Sequence, residues 1–132
     1  FNLYLYIILL KIIFTFKSLF LWMKKVEAFV RVEKINDVRN AMKAMGHGSM
    51  INYDIWYRGT SREINQYNIE SLYDFMPKVK VEMVVEDEHV EEIINILCES
   101  AFTGNTGDGK IFIIPVEEAI RIQTRENGDM IL

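Results

Sequence analysis

Hydrophobic and polar residues alternate along residues 24–31 and 78–87, a period of two that is typical of β-strands with one buried face. Residues 49–57 are rich in aromatic and β-branched side chains, which favour strands, and residues 110–116 are too apolar for an exposed edge strand. Residues 119–124 alternate again. The pattern therefore predicts four strands and an added C-terminal strand.

Two other segments space their hydrophobic residues by three and four positions, as amphipathic helices do. They are residues 33–45, followed by the helix-terminating Gly46 and Gly48, and residues 88–101. The predicted order is β-α-β-β-α-β with the extra strand. This order indicates an α+β, ferredoxin-like fold in which both helices cover one face of an antiparallel sheet.

The other face of such a sheet also needs cover. We expect Val26, Met83, Val85, Ile111 and Ile113 to keep that face apolar. A chain of this size has no further element to cover it. We therefore infer an oligomer with its sheet faces turned inward.

The first 22 residues are mostly hydrophobic and match the length of a membrane span, about 20 residues. Lys11 and Lys17 interrupt them, and they lack the small-residue cleavage site of a signal peptide. Their residue types are mostly those with AT-rich codons, and Met23 follows directly. We interpret residues 1–22 as a mis-set start, with a membrane anchor as the alternative, and residues 23–132 as the domain.

Composition argues against some classes of partner and site. A net charge of −4 argues against a nucleic-acid partner, because such binding needs clustered Lys and Arg. The one cysteine, Cys98, cannot form an intrachain disulfide, which fits a reducing, cytoplasmic location. No Cys and His residues have metal-ligand spacing. His47 and His89 are interpreted as ordinary residues beside element ends.

A glycine-rich segment precedes the strand predicted at 110–116. It carries Gly104, Gly107 and Gly109, with Asp108 and Lys110 beside them. Glycine lets successive backbone N–H groups approach an anion, Lys110 adds a charge, and Arg121 offers a planar fork for phosphate oxygens. The combination suits a polyphosphate, although a plain turn into a strand would also explain it.

The segment TGNTGDGKIFII resembles the C-terminal signature of the PII nitrogen-regulatory signalling proteins, and the resemblance extends over nearly all of residues 23–132. The matching residues are Thr103, Gly107, Asp108, Gly109, Lys110, Ile111, Phe112 and Ile113. The resemblance implies a non-catalytic homotrimer that binds ATP or ADP between subunits, and 2-oxoglutarate together with MgATP. It also implies that a long T-loop, at about 58–75, engages a target such as an ammonium transporter, nitrogenase or glutamine synthetase. A membrane would be reached only through such a partner, or through residues 1–22.

The resemblance also implies the site residues. Those around the phosphates would be Gly107, Asp108, Gly109, Lys110 and Arg121. Those implied elsewhere in the nucleotide site are Gly59, Glu82, Val84, Thr103 and Gln123. Lys78 would meet the 2-oxoglutarate carboxylate. Without the resemblance, Lys78 and Glu82 would be read as a solvated strand face.

Two departures bear on these roles. Gln123 stands where the family has a second phosphate-binding arginine, so we expect weaker binding of the outer phosphates unless Arg125 substitutes. Ser61 falls where the family has the glutamine of its 2-oxoglutarate and Mg²⁺ site, although another alignment shifts this part of the loop. A degenerate interaction module with weak nucleotide binding is the alternative function. No nucleophile lies beside a base near the glycines, which argues against an enzyme.

Overall fold

The computed structural model of the chain describes residues 2–19, 23–59, 75–128 and 131–132. The helices are α1 (Leu3–Leu19), α2 (Ile35–Ala44) and α3 (Val90–Ala101), and the strands are β1 (Met23–Val30), β2 (Ile51–Tyr57), β3 (Met76–Glu86) and β4 (Lys110–Pro115). Short 3₁₀ turns lead into α2 and α3 over Val32–Lys34 and Asp87–His89. The predicted order β-α-β-β-α-β is confirmed.

The four strands form one antiparallel sheet in the order β2-β3-β1-β4. In the centre, Val26 of β1 pairs with Met83 of β3 on one side and with Ile113 of β4 on the other. The α+β, ferredoxin-like fold is therefore confirmed. The sheet order places the end of β1 beside the start of β4, where the glycine-rich segment lies.

The core lies between one face of this sheet and helices α2 and α3. The strands contribute Val26, Ala28, Val30, Val79, Val81 and Met83, and the helices contribute Val38, Met42, Ile93, Ile96, Leu97 and Ala101. Each large apolar side chain that is fully buried stabilises the fold by about 1.5–3 kcal/mol. This burial explains why the helical spacing of three and four was visible in the sequence.

The expectation for the second sheet face was wrong. Val26 and Met83, which are 0% and 4% exposed, lie in the helix-covered core. Val85 and Ile111 pack against the same core, and Ile113 shares its face because it pairs with Val26. Alternation shows which residues share a face but not which face the helices cover, and here both faces carry apolar residues.

The exposed sheet face, opposite α2 and α3, combines an ion-pair network with aromatic rings. Glu27 lies between Lys25, at 3.3 Å, and Lys80, at 3.1 Å. Burial opposes ionisation of Glu27, but bonds from Lys80 and Lys25 outweigh it and lower the pKa of the carboxyl. The ring of Phe29 lies 5.7 Å from that of Tyr57 and 5.8 Å from that of Phe112.

The C-terminal strand predicted over 119–124 does not form. The chain reverses instead, and a single bridge joins Ile120 to Asn127. Arg125 sits at the turn with φ 59, and its N–H donates to the carbonyl of Arg121 at 2.8 Å. Alternation predicts a strand only where one face is buried, and Ile122 is 96% exposed.

Helix α1 carries apolar side chains that are exposed from Leu3 to Ile13. Within the described ranges, no helix is both long enough and apolar enough to cross a membrane.

Candidate anion-binding site

The glycine loop, residues 103–109, connects α3 to β4 and depends on backbone conformations that only glycine adopts readily. Gly107 and Gly109 have φ values of +100 and +112. A Cβ on Gly109 would overlap the carbonyl oxygen of Phe29 and approach its carbonyl carbon to 2.9 Å. Glycine therefore brings the loop directly against the backbone of β1.

The Asp108 carboxylate holds this loop together from inside. It accepts hydrogen bonds from the backbone N–H groups of Thr103, at 2.8 Å, and Gly104, at 3.0 Å, and from the Thr103 hydroxyl. It also accepts one from Arg31 Nε at 3.0 Å. Asp108 is thus a structural acceptor within the loop, and its side chain faces donors of the chain itself.

Two buried cations, Arg31 and Lys78, brace the loop. They are 8% and 5% exposed. Arg31 donates a second hydrogen bond from Nη2 to the carbonyl of Thr106, at 2.9 Å, and Lys78 Nζ donates to the carbonyl of Gly107. The loop carbonyls therefore turn inward onto positive charge.

Arg31 was missed from the sequence. It directly follows β1 and looks like an ordinary polar residue at a strand end. Its partners lie more than seventy positions away along the chain. The sequence holds one signal that could have found it. Asp108 is an acid within the glycine loop, and pairing of β1 with β4 places Arg31 at the same edge of the sheet.

The ionised state of Asp108 is strongly favoured. Burial by itself would raise the pKa of this carboxyl. The hydrogen bonds from Thr103, Arg31 and the Gly104 N–H outweigh burial and lower the pKa to about 2. The loop therefore contains a permanent carboxylate that is neutralised by an adjacent guanidinium.

The loop keeps donors for an external anion. Among the described residues, no acceptor is hydrogen-bonded to the N–H groups of Gly107, Asp108 or Gly109. Lys110 follows at the exposed start of β4. Arg31, Lys78 and Lys110 together outnumber the single carboxylate of Asp108. Consecutive donors beside a net positive charge are suited to an anion such as phosphate.

The other predicted residues lie apart from the loop within one chain. Glu82 is four residues along β3 from Lys78, which is about 13 Å of strand, and Val84 is two residues further. Glu82 accepts a hydrogen bond from the Tyr53 hydroxyl at 3.3 Å. The structure thus brings Thr103, Gly107, Asp108, Gly109, Lys110 and Lys78 together, but neither Glu82 nor Val84.

The C-terminal residues are also separate from the loop. Arg121 donates to Glu126 and to the carbonyl of Ile131, both at 3.3 Å, and Gln123 lies in the exposed turn that follows. Gly59 follows β2, whose last residue, Tyr57, pairs with Met76 at the Lys78 end of the sheet. Ser61 lies outside the described residues.

Comparisons with known proteins show which family the chain resembles. The family model described as nitrogen regulatory protein P-II matches residues 23–126. A nitrogen fixation nifHD region GlnB-like protein 1 of Methanobacterium ivanovii is 43% identical over 106 residues, covering 80% of this chain and 99% of that protein. A nitrogen regulatory protein P-II of Haemophilus influenzae is 43% identical over 111 residues, covering 81% and 97%.

A solved structure is similar as well. Arabidopsis thaliana PII bound to citrate superposes with a TM-score of 0.67 at 36% identity, covering 83% of this chain and 88% of that one. The range matched by the family model, residues 23–126, includes the sheet, α2, α3 and the glycine loop.

Proposed function

Because this chain belongs to the nitrogen regulatory protein P-II family, whose members are signalling proteins and not enzymes, we propose that it senses ATP and ADP and regulates a partner in nitrogen metabolism. The observation that carries the proposal is the glycine loop. Its form is fixed by Asp108, Arg31 and Lys78, while three consecutive N–H groups keep no acceptor within the described chain. We propose that these N–H groups and Lys110 hold the phosphates.

The separation of the remaining site residues supports a site shared between copies. Glu82 and Val84 lie about 13–20 Å from Lys78 along β3, so one chain cannot surround a nucleotide with both groups. A second copy that presents its β3 to the loop of the first would complete the site. We propose a homotrimer, in which Arg121 and Gln123 also reach the nucleotide of a shared cleft.

Lys78 is compatible with a second, dicarboxylate ligand. Its buried ammonium group lies against the glycine loop, where it donates to the Gly107 carbonyl, and it places a positive charge there that suits a carboxylate. The related Arabidopsis protein was solved with citrate, a polycarboxylate. We propose that 2-oxoglutarate binds with MgATP near Lys78, with Ser61 and Gly59 contributing from the segment after β2.

Gln123 favours the second candidate, an interaction module that binds nucleotide weakly. An amide at this position forms a neutral hydrogen bond, and charge-assisted bonds are about twice as strong.

In either case we propose that residues 58–75 contact the target, that residues 23–132 form the regulatory domain and that residues 1–22 are a separate extension. The target classes are an ammonium transporter, nitrogenase or glutamine synthetase, and the location is cytoplasmic.

The first prediction concerns nucleotide binding. We expect calorimetric titration of the 132-residue chain with ATP and with ADP to give one saturable site per chain. Lys110→Met should weaken binding about 10–100-fold, because a charge-assisted bond to phosphate contributes about 1.5–3 kcal/mol. Lys43→Met is the matched control, since Lys43 is exposed in the last turn of α2 and should leave the affinity unchanged. Folded protein that binds neither nucleotide would favour the interaction module.

The second prediction concerns assembly. Phe112 is 46% exposed on the exposed sheet face, where it contacts Phe29. Phe112→Glu should convert the trimer to monomers, because it places an unpaired carboxylate within an apolar contact. Sedimentation equilibrium measures the mass directly. Glu118→Phe makes the reverse change at an exposed position beyond β4, and this variant should keep the mass of a trimer. A wild-type chain that sediments as a monomer would contradict the proposed shared site.

A further inference from the structure

Both histidines of the chain lie together at the end of the molecule where α2 finishes and α3 begins. Gly46, with φ +85, turns the chain after α2, and the His47 N–H donates to the carbonyl of Met42 at 2.9 Å. His89 directly precedes α3 and Glu92 follows three positions later. That spacing places His89 and Glu92 on one side of the helix, facing His47.

The three side chains have the separations of metal ligands. His47 Nε2 lies 3.0 Å from Glu92 Oε2, and His89 Nδ1 lies 3.9 Å from the same oxygen. The ligand atoms of all three residues lie within 4.8 Å of one another. Four ligands held tetrahedrally at 2.0–2.1 Å from an ion are roughly 3.3 Å apart, so small side-chain rotations suffice.

We propose that His47, His89 and Glu92 bind a divalent transition-metal ion of the Zn²⁺ class. Two imidazoles and one carboxylate are a donor set of zinc sites that keep a fourth position for water. Imidazole nitrogen disfavours Mg²⁺ and Ca²⁺, which take oxygen ligands. The site is therefore chemically distinct from any Mg²⁺ that accompanies a nucleotide.

The surroundings favour a cation. Five carboxylates, those of Glu86, Asp87, Glu88, Glu91 and Glu92, lie within seven residues of sequence around His89. The carboxylate oxygens of Glu86 and Glu88 lie 3.8 and 3.6 Å from His89 Nε2. These charges outweigh the positive end of α3, which acts over the same turn with about half a charge.

An opening leads to the cluster from solvent. A cavity of about 260 Å³ is bounded by His47, Gly48, Glu86 and His89. The His47 side chain is only 16% exposed, whereas those of His89 and Glu92 are 43% and 40% exposed. The ligands are thus partly shielded from water and still within reach of an ion and its remaining water molecule.

This site lies far from the glycine loop. Met83 and Glu86 of β3 border the cavity, and Lys78 meets the loop near the other end of the same strand. From Lys78 to Glu86 the strand extends about 26 Å. Zn²⁺ binding is therefore testable without nucleotide, and its outcome is independent of the nucleotide proposal.

The test is a Zn²⁺ titration of the 132-residue chain without an affinity tag, stripped with a chelator and free of nucleotide. Calorimetry should give one Zn²⁺ per chain. Glu92→Gln and His89→Asn should each weaken binding at least about tenfold, because even the loss of an outer hydrogen-bond partner typically costs 10–100-fold. Co²⁺ should give the visible absorption of a tetrahedral site, and Zn²⁺ should shift the imidazole NMR signals of both histidines.

Glu91→Gln is the matched control. It removes the same charge one position away, on an exposed side chain outside the cluster, and should change Zn²⁺ affinity by less than about twofold, as expected for a screened surface charge. Circular dichroism of each metal-free variant confirms folding, and Zn²⁺ should raise the melting temperature of the wild type and of Glu91→Gln. The absence of saturable binding would overturn the proposal. So would equal losses in Glu91→Gln and Glu92→Gln, which would indicate diffuse attraction to acidic residues.

Discussion

Replacement of Gly109 by alanine should reduce the free energy of unfolding by at least about 3 kcal/mol. The added Cβ would overlap the Phe29 carbonyl oxygen, which belongs to the central strand and cannot move without breaking the sheet. The backbone at Gly109, with φ +112, adds strain for any residue that has a Cβ. Urea denaturation followed by circular dichroism measures the loss.

Substitutions at two other glycines distinguish the steric overlap with Phe29 from the backbone strain of a positive φ. Gly128 has φ +93, but no atom of the described residues lies within 4 Å of a Cβ placed there, so Gly128→Ala should cost only about 1–2 kcal/mol, from backbone strain alone. Gly48 has no positive φ, and the described chain likewise leaves open space around its Cβ position, so Gly48→Ala should change stability by less than about 0.5 kcal/mol. If all three variants lost equal stability, close approach of the loop to β1 would not be the cause.

Asp108→Asn should be the second most damaging change, at about 2–3 kcal/mol. An amide has one acceptor oxygen in place of two charged ones, so it cannot serve the donors of Thr103, Gly104 and Arg31 together. Arg31, which is only 8% exposed, would lose the carboxylate charge that lies 3.0 Å from its Nε. The same urea measurement at neutral pH gives the difference from wild type.

The pH dependence of this loss has a definite sign. The pKa of Asp108 is about 2 in the folded chain, against an ordinary value of 3.8 for an aspartate. The stabilisation is therefore complete above about pH 4 and disappears as the pH falls towards 2. The gap between wild type and Asp108→Asn should narrow on acidification over that window.

Asp87→Asn provides the control for this pair. Asp87 contacts Lys24 at 2.7 Å, which is shorter than the Arg31–Asp108 contact, but its side chain is 42% exposed. Exposed ion pairs contribute about 0–1 kcal/mol, so this variant should remain close to wild type. A loss as large as that of Asp108→Asn would mean that burial does not set the strength of the Arg31 pair.

The sequence predicted the features that depend on neighbouring residues. Helical spacing in 33–45 and 88–101 and alternation in 24–31 arise from one buried face of each element, and they anticipated α2, α3 and β1. The glycine loop was visible because Gly107 and Gly109 lie beside Asp108 and Lys110. Each of these signals lies within a few positions of chain.

Features that depend on distant residues were missed or misplaced. Arg31 contacts Asp108, and His47 contacts Glu92, although the partners lie 77 and 45 positions apart along the chain. A pattern of neighbouring residues cannot reveal such contacts. The choice of sheet face for Val26 and Met83 depended on where the helices dock. Ile122 fitted a strand pattern in the sequence, but none of the strands in the described part of the chain lies beside it, and it is 96% exposed.

The bracing of the glycine loop has a kinetic consequence. Fixing the backbone of a residue costs about 1–2 kcal/mol of conformational entropy, and Asp108, Arg31 and Lys78 fix this loop when the chain folds. A ligand that arrives at the loop therefore meets a surface that is already ordered. Association of competing anions should then proceed at similar, diffusion-controlled rates, and discrimination between them should lie in how long each one stays bound.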